Sequence, residues 1–351
     1  MGRCALRGGV LGIAGLMALC LLIGGAMFWW SREVQPAHVW EFPAVRSAVF
    51  LPDGRVAVAS DKQTTIYEVP ERAEVRVLPD GGYLAASPDG VVLAIGSRGS
   101  VRLYEGAQGA LRGTLTCWPP GPSIYSMSLA FAPDGRTLAV AEQFHQHGPV
   151  VQLWDTLTQE QIGEVRIDDP DATVAGPLAF APSGQWLVVA TAPRGVWLID
   201  LERLAVVQPL QRAPSESVVF SPDGALLSVG GATIRTYATS TWRLMHEQTF
   251  SESLTVPGPD DDVIRARGMV VAISPDGRWL ATPNKYPPSD TFTFRGETPR
   301  HTIALRRLDN GRLVRVLSGS PIRLHRLAFS PDGRWLMDAG LSTLRFWPVE
   351  G

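Results

Sequence analysis

The residues of this chain whose types could do chemistry lie in its links rather than in its apolar runs. His145-x-His147 sets two imidazoles on one side of an extended segment, as a metal pair requires, but two nitrogens leave a tetrahedral site half built. Asp168, Asp169 and Asp171, and the run Asp260, Asp261 and Asp262, offer the oxygen ligands that calcium takes. Neither group has the alternating acidic spacing with a Gly and a terminal Glu that shapes a calcium loop. Trp118, set among prolines, Phe144 and Tyr286 are link aromatics, the type that anchors protein interfaces. The chain has no Gly-x-Ser-x-Gly elbow, no His-Glu-x-x-His, no phosphate-cradling Gly-Lys-Ser/Thr loop and no dinucleotide fingerprint. These residues favour a protein or peptide partner held on aromatic anchors over catalysis, and they imply no cofactor.

Whatever positions those links must repeat, because one short motif recurs down the chain. It reads Leu51-Pro52-Asp53-Gly54, Ser87-Pro88-Asp89-Gly90, Ala132-Pro133-Asp134-Gly135, Ala181-Pro182-Ser183-Gly184, Ser221-Pro222-Asp223-Gly224, Ser274-Pro275-Asp276-Gly277 and Ser330-Pro331-Asp332-Gly333. The period of about forty residues marks stacked supersecondary units that cannot bury their faces alone. Each motif is a turn: Pro presets φ, Asp bonds its own downstream backbone, and Gly takes a positive φ at the exit. Short β-branched and aromatic runs flank it, as in Ser128–Phe131 before the third turn and Thr137–Ala141 after it. The second run of each unit is almost continuously apolar, as in Trp186–Ala190, which predicts a strand covered on both faces. Nothing after the amino-terminal region shows a sustained helical period.

The segment Leu129–Ala141, LAFAPDGRTLAVA, followed by Val151–Thr158, VQLWDTLT, resembles the tryptophan–aspartate (WD) repeat of β-propeller proteins. The resemblance covers residues 37–351. It implies an all-β fold, a seven-bladed propeller of four-stranded antiparallel blades, with a six- or eight-bladed ring as the alternative. The Trp-Asp pair is complete at Trp154-Asp155 and drifts elsewhere to Tyr67-Glu68, Tyr104-Glu105, Ile199-Asp200, Tyr237-Ala238, Arg306-Arg307 and Trp347-Pro348. The family's Gly-His pair is missing, and Gly319-Ser320 stands where it would precede the last repeat. The seventh repeat has three runs where the others have four, and His38–Phe42 is expected to supply the missing outer strand and close the ring.

Residues 1–7 form a short basic start with Arg3 and Arg7, and Gly8–Trp30 is an uncharged stretch of 23 residues. As a helix it would be about 35 Å long, enough to cross a ~30 Å hydrocarbon core. Arg3 and Arg7 before it, and Trp29-Trp30 at its end, predict a transmembrane helix or signal anchor with a cytoplasmic amino terminus. The protein would then sit in the cell membrane by a single pass, with residues 31–37 as a linker and 38–351 as an extracytoplasmic propeller. The alternative is a secreted protein after cleavage of a signal peptide near Gly24-Gly25-Ala26, although the apolar stretch exceeds the ~7–15 residues of a usual signal core. The balance of 32 basic and 34 acidic residues, net −2, argues against a nucleic-acid binder. Of three cysteines only Cys117 falls in the propeller, so no internal disulfide staples it.

In that architecture the Pro-Asp-Gly turns and the links between third and fourth strands share one face, and here they are short. The long links fall on the other face: Cys117–Pro122, Gln143–Gly148, Asp168–Asp171, Pro257–Asp262 and Thr282–Arg300. Function in such folds sits on loops carried by a rigid scaffold. The sequence thus predicts a non-enzymatic, membrane-tethered protein-interaction scaffold binding on its loop-rich face through Trp118, Phe144 and Tyr286. The competing reading is a propeller enzyme, a hydrolase or oxidoreductase, with a metal-assisted site at the central channel drawing on His145, His147 or Asp260–Asp262.

Overall fold

The computed structural model of the chain describes residues 33–97, 99–106, 108–118, 127–144, 148–169, 171–192, 195–213, 215–231, 233–249, 255–257, 263–265, 270–285, 301–320 and 326–349. Seven β-sheets succeed one another, and the innermost strand of each touches the innermost strand of the next. Arg326–Phe329 of the seventh touches Ser47–Phe50 of the first, which makes the molecule a ring, a seven-bladed β-propeller. The blades run Ser47–Phe50 to Glu74–Leu78, Tyr83–Ala86 to Leu111–Thr116, Met127–Phe131 to Glu160–Arg166, Thr173–Phe180 to Ala205–Gln211, and Ser215–Phe220 to Arg243–Thr249. Blade six holds Ala272–Ile273, Trp279–Lys285, His301–Arg307 and Leu313–Ser320, and blade seven Arg326–Phe329, Trp335–Ala339 and Thr343–Pro348. Strands within a blade are antiparallel, and a separate hairpin, Thr255–Pro257 with Val263–Arg265, lies between blades five and six.

The motif turns fold alike. In each, the first residue's carbonyl accepts the Gly N–H at 2.8–3.0 Å, and all seven glycines take φ between +69° and +91°. The third residue's oxygen accepts the N–H two positions on, from Arg55, Val91, Arg136, Gln185, Ala225, Arg278 and Arg334. Where the motif begins with Ser, its Oγ donates to the Asp, as Ser221 does to Asp223 at 2.5 Å, and accepts the N–H that opens the next strand. That hydroxyl holds the Asp89 and Asp223 carboxyls below the usual range.

The second strands are buried along their length, as Val56–Ala59 and Leu187–Ala190 show, because blades pack on both of their faces. One apolar cluster fills each junction. Met127, Leu129, Leu138 and Val140 of blade three meet Val92, Ala94, Val101 and Leu103 of blade two. The link between third and fourth strands carries one residue with positive φ in six blades: Arg72, Gly109, Gln159, Leu204, Trp242 and Gly311. In blades three and four this residue leans on the outer strand of the preceding blade. Gln159 Nε2 donates to Arg112 O at 3.2 Å, and Leu204 packs within reach of Gly163.

Two amino-terminal strands join this frame. His38–Glu41 pairs antiparallel with Thr343–Pro348, from His38 opposite Phe346 to Glu41 opposite Thr343. Trp40 is buried there against Phe346, and Arg72 of blade one donates to Glu41 O at 2.6 Å. Glu33–Val34, placed by the sequence reading in a linker, adds a short parallel edge to Leu313–Ser320 of blade six.

Candidate functional site

Strand order fixes which end of each blade faces which way. Inner strands end at the Pro-Asp-Gly turns, so their first residues, with the links between second and third strands, define the opposite face. Most polar groups of the turn face are satisfied within the repeat, with Trp279 Nε1 and Arg306 Nε as exceptions among the described residues. Asp155, the aspartate of the one complete Trp-Asp pair, accepts Leu157 N–H at 2.9 Å, Thr158 N–H at 3.2 Å and Arg136 Nε at 2.8 Å. The Arg136 guanidinium first, then these amides, hold its carboxyl well below the usual range. Ion pairs Arg55–Asp53, Arg278–Asp276 and Arg334–Asp332 border the same face.

Toward the loop-rich face polar groups are less well provided for. Glu142 sits near the end of the second strand of blade three, 0% exposed, and among the described residues no side chain partners its carboxylate. Burial pushes its pKa up to about 8, against a small opposing pull from the nearby Gly99 amide. Cys117 is close by, its thiol pushed up to about 12 by burial first and by Glu142 second, which makes it an inert core thiol. Arg326 opens the inner strand of blade seven, half-buried, with no ion pair or hydrogen bond among the described residues.

The sequence-predicted site residues separate here. Trp118 is described: 8% exposed, it packs in the cluster between blades two and three, and its N–H reaches Gly99 O at 3.1 Å. Phe144 ends the second strand of blade three, and its side chain lies outside the described residues, as do Tyr286, His145, His147, Asp260, Asp261 and Asp262. Among the described residues no three His, Cys, Asp or Glu side chains converge as a metal set. Asp168, Asp169 and Asp171 follow the outer strand of blade three, where Asp169 Oδ1 accepts Asp171 N–H at 3.2 Å. Gly8–Trp30 also lies outside the described residues, and among those described no helix is long and apolar enough to cross a membrane.

Sequence reasoning missed the polar links between blades. Tyr104 Oη donates to Asp80, Tyr237 Oη to Gln211 Oε1 at 2.7 Å, and Trp347 Nε1 to Ser318 O at 3.2 Å, each reaching the end of the preceding blade from the Trp position of the repeat. Ser47 Oγ accepts Leu84 N–H at 3.2 Å, Ser128 Oγ accepts Leu178 N–H at 3.1 Å, and Ser217 Oγ accepts Val271 N–H at 3.1 Å, stitching blades one to two, three to four and five to six. The signal was present: each serine stands four residues before its motif.

No family model matches the chain. Among curated proteins it is similar to the pre-mRNA-processing factor 19 homolog 2 of Arabidopsis thaliana, 29% identical over 120 residues. The match covers 33% of this chain and 21% of that protein, so the chain spans about a fifth of its relative's length. Seven four-stranded blades together with this distant likeness support a WD-repeat propeller, a fold that serves protein interaction in general.

Proposed function

We propose that the chain is a membrane-tethered, non-enzymatic scaffold that binds a protein or peptide partner on the loop-rich face of its propeller. One observation carries this reading. The turn face repeats one self-satisfied turn seven times, whereas every long link emerges opposite it. Phe144 and Tyr286 are the partner anchors in this reading, and Trp118, buried in the cluster between blades two and three, belongs to the frame beneath.

The tether is Gly8–Trp30, with the propeller on the extracytoplasmic side. Glu33–Val34 runs parallel to Leu313–Ser320, a strand that climbs from the turn face, so the chain enters the ring from that face. An anchor ending at Trp30 would approach from the turn face and leave the loop-rich face pointing away from the bilayer. His38–Glu41, on this reading, is the clasp that closes the ring, because it removes the open edge of blade seven.

Affinity capture with the full chain tests the binding reading. Changing Phe144 and Tyr286 to Ala is expected to abolish capture, since aromatic anchors carry ~2 kcal/mol or more each at a hot spot. Changing Leu157, Glu202 and Asn310 on the turn face is expected to leave it intact. The reverse pattern, with unfolding midpoints unchanged, would place the partner on the turn face. Retention of residues 1–30 in a product that stays with membranes after an alkaline wash is the result the tether requires, and a soluble product starting near Met27 would overturn it.

A further inference from the structure

Charge is not spread evenly around the turn face. At the links between third and fourth strands, blade one carries Glu68 and Glu71 against Arg72, and blade two carries Glu105. Blade three has Asp155 and Glu160 there, and blade four Asp200 and Glu202 against Arg203. The sign changes at blade five, which has Arg243, and blade six sets Arg306, Arg307 and Arg312 against Asp309. The Pro-Asp-Gly turn of blade six adds Arg278 beside Asp276. The guanidinium carbons of Arg278 and Arg307 lie 5.9 and 5.6 Å from the centroid of the Trp279 ring, so turn and link form one surface. Arg306 Nη1 donates to Gly311 O at 3.2 Å, and Arg312 is exposed just before the outer strand. Arg278 is matched by Asp276 and Arg307 by Asp309, and Arg306 and Arg312 leave the surface positive.

Blade six is also where the amino-terminal chain joins the ring. Glu33 lies opposite Val316 and Val34 opposite Leu317 in parallel register, so the chain before Glu33 heads back toward Arg312. Ser31 and Arg32 alone separate Glu33 from Trp30, the end of the uncharged stretch. Three residue steps span at most about 11 Å. On the tethered reading, with Trp30 at the edge of the hydrocarbon core, a headgroup layer of roughly 6 Å takes up half of that reach. Val316 then stands within roughly 5 Å of the headgroups, less than the ~8 Å over which salt screens charge. Arg312, four positions earlier in the chain, comes nearer still.

We propose that the turn face of blade six is a docking surface for anionic phospholipid headgroups, with Arg306, Arg307 and Arg312 set against the phosphates. This deepens the tethered reading and rests on it for the approach of the bilayer, but not for the charge of the surface. A planar guanidinium takes two phosphate oxygens at once, which a point cation does not. Blades two and three, opposite blade six in a ring of seven, carry the acidic links and are repelled by the same lipid. Attraction at one side and repulsion at the other favour a single tilt of the ring. The loop-rich face then points away from the membrane, clear for a partner.

The test uses the full chain reconstituted in phosphatidylcholine vesicles, with and without about 30% phosphatidylglycerol. A photoreactive residue replaces Asn310, between Arg307 and Arg312, or Glu202 of blade four. Lipid adducts at Asn310 are expected to rise roughly fivefold with the anionic lipid and to fall back in about 0.5 M salt. Adducts at Glu202 are expected to stay low in both vesicles. R307Q with R312Q should lose the rise, and R203Q, which removes a turn-face cation paired with Asp200, should keep it. The salt series needs no variant, so it decides the matter even where the double variant folds poorly. Equal adducts at Asn310 in the two vesicles, or a rise that the double variant retains, overturns the docking surface while the tether stands. Anionic-lipid adducts at Glu202 in place of Asn310 overturn it as well. Loss of the chain from phosphatidylcholine vesicles in an alkaline wash sinks the tether. Adducts at Asn310 with the anionic lipid would then sustain the docking surface alone, and their absence would sink both.

Discussion

On the turn face the carboxylates of Asp53, Asp89, Asp134, Asp155, Asp223, Asp276 and Asp332 are each held by backbone amides, hydroxyls or arginines. Toward the loop-rich face neither Glu142 nor Arg326 has a side-chain partner among the described residues. The strands are the same at both ends, so the contrast is not a matter of fold. A structural end needs its polar groups satisfied within the repeat, because unsatisfied buried groups cost about 1–3 kcal/mol each. A buried carboxyl and a guanidinium without side-chain partners toward the other end are a cost that the fold alone does not explain, and they fall where the long links do.

The largest expected effect sharpens the contrast by showing what the frame itself requires. Trp40 is buried against Phe346 and Tyr67, whereas its neighbour Val39 is 48% exposed. Trp40→Ala is expected to cost about 3–5 kcal/mol of stability and Val39→Ala under about 0.5. Denaturant unfolding of both variants measures this, and equal losses would remove His38–Glu41 from its role as clasp.

Next in size comes Glu142. Its folded-state pKa is raised to about 8, so its proton-linked stability is full below the ordinary carboxylate range and is lost as pH rises toward and through 8. Glu142→Gln should therefore flatten the decline between about pH 5 and 8 and gain on the order of 3 kcal/mol above it. Midpoints of the two proteins that run parallel with pH would show that Glu142 is paired after all. Asp155 has the opposite sign. Its pKa is depressed, so its contribution is present above the unfolded value and is lost as pH falls. Asp155→Ala is expected to cost about 1–2 kcal/mol at neutral pH, with the difference from wild type closing in acid. The smallest effect belongs to the exposed turn-face group Leu157, Glu202 and Asn310, where alanine should change stability by under about 0.5 kcal/mol.

Much of the frame was legible in the sequence because it repeats. Each Pro-Asp-Gly turn is a local event, and seven copies made the blade count readable before any contact was known. The apolar second strands were legible for the same reason, since burial on both faces leaves no alternation to misread. What could not be read joins residues far apart in the chain. Trp118 looks like an exposed anchor when judged by its prolines, but its ring is drawn into the cluster between blades two and three. Ser47, Ser128 and Ser217 are ordinary strand residues until the next blade brings an amide to each. Glu33–Val34 is too short to carry a strand pattern and pairs only because Leu313–Ser320 offers an open edge. Glu142 reads as a polar end to an apolar strand, and its isolation is visible only once Met127, Val150 and Cys117 surround it.

The contrast between the faces comes to its most direct test in photo-crosslinking from single positions of the full chain. A photoreactive residue at Phe144 should capture the partner, and one at Leu157 on the turn face should not. Crosslinks from Leu157 with none from Phe144, in proteins of unchanged unfolding midpoint, would contradict the account.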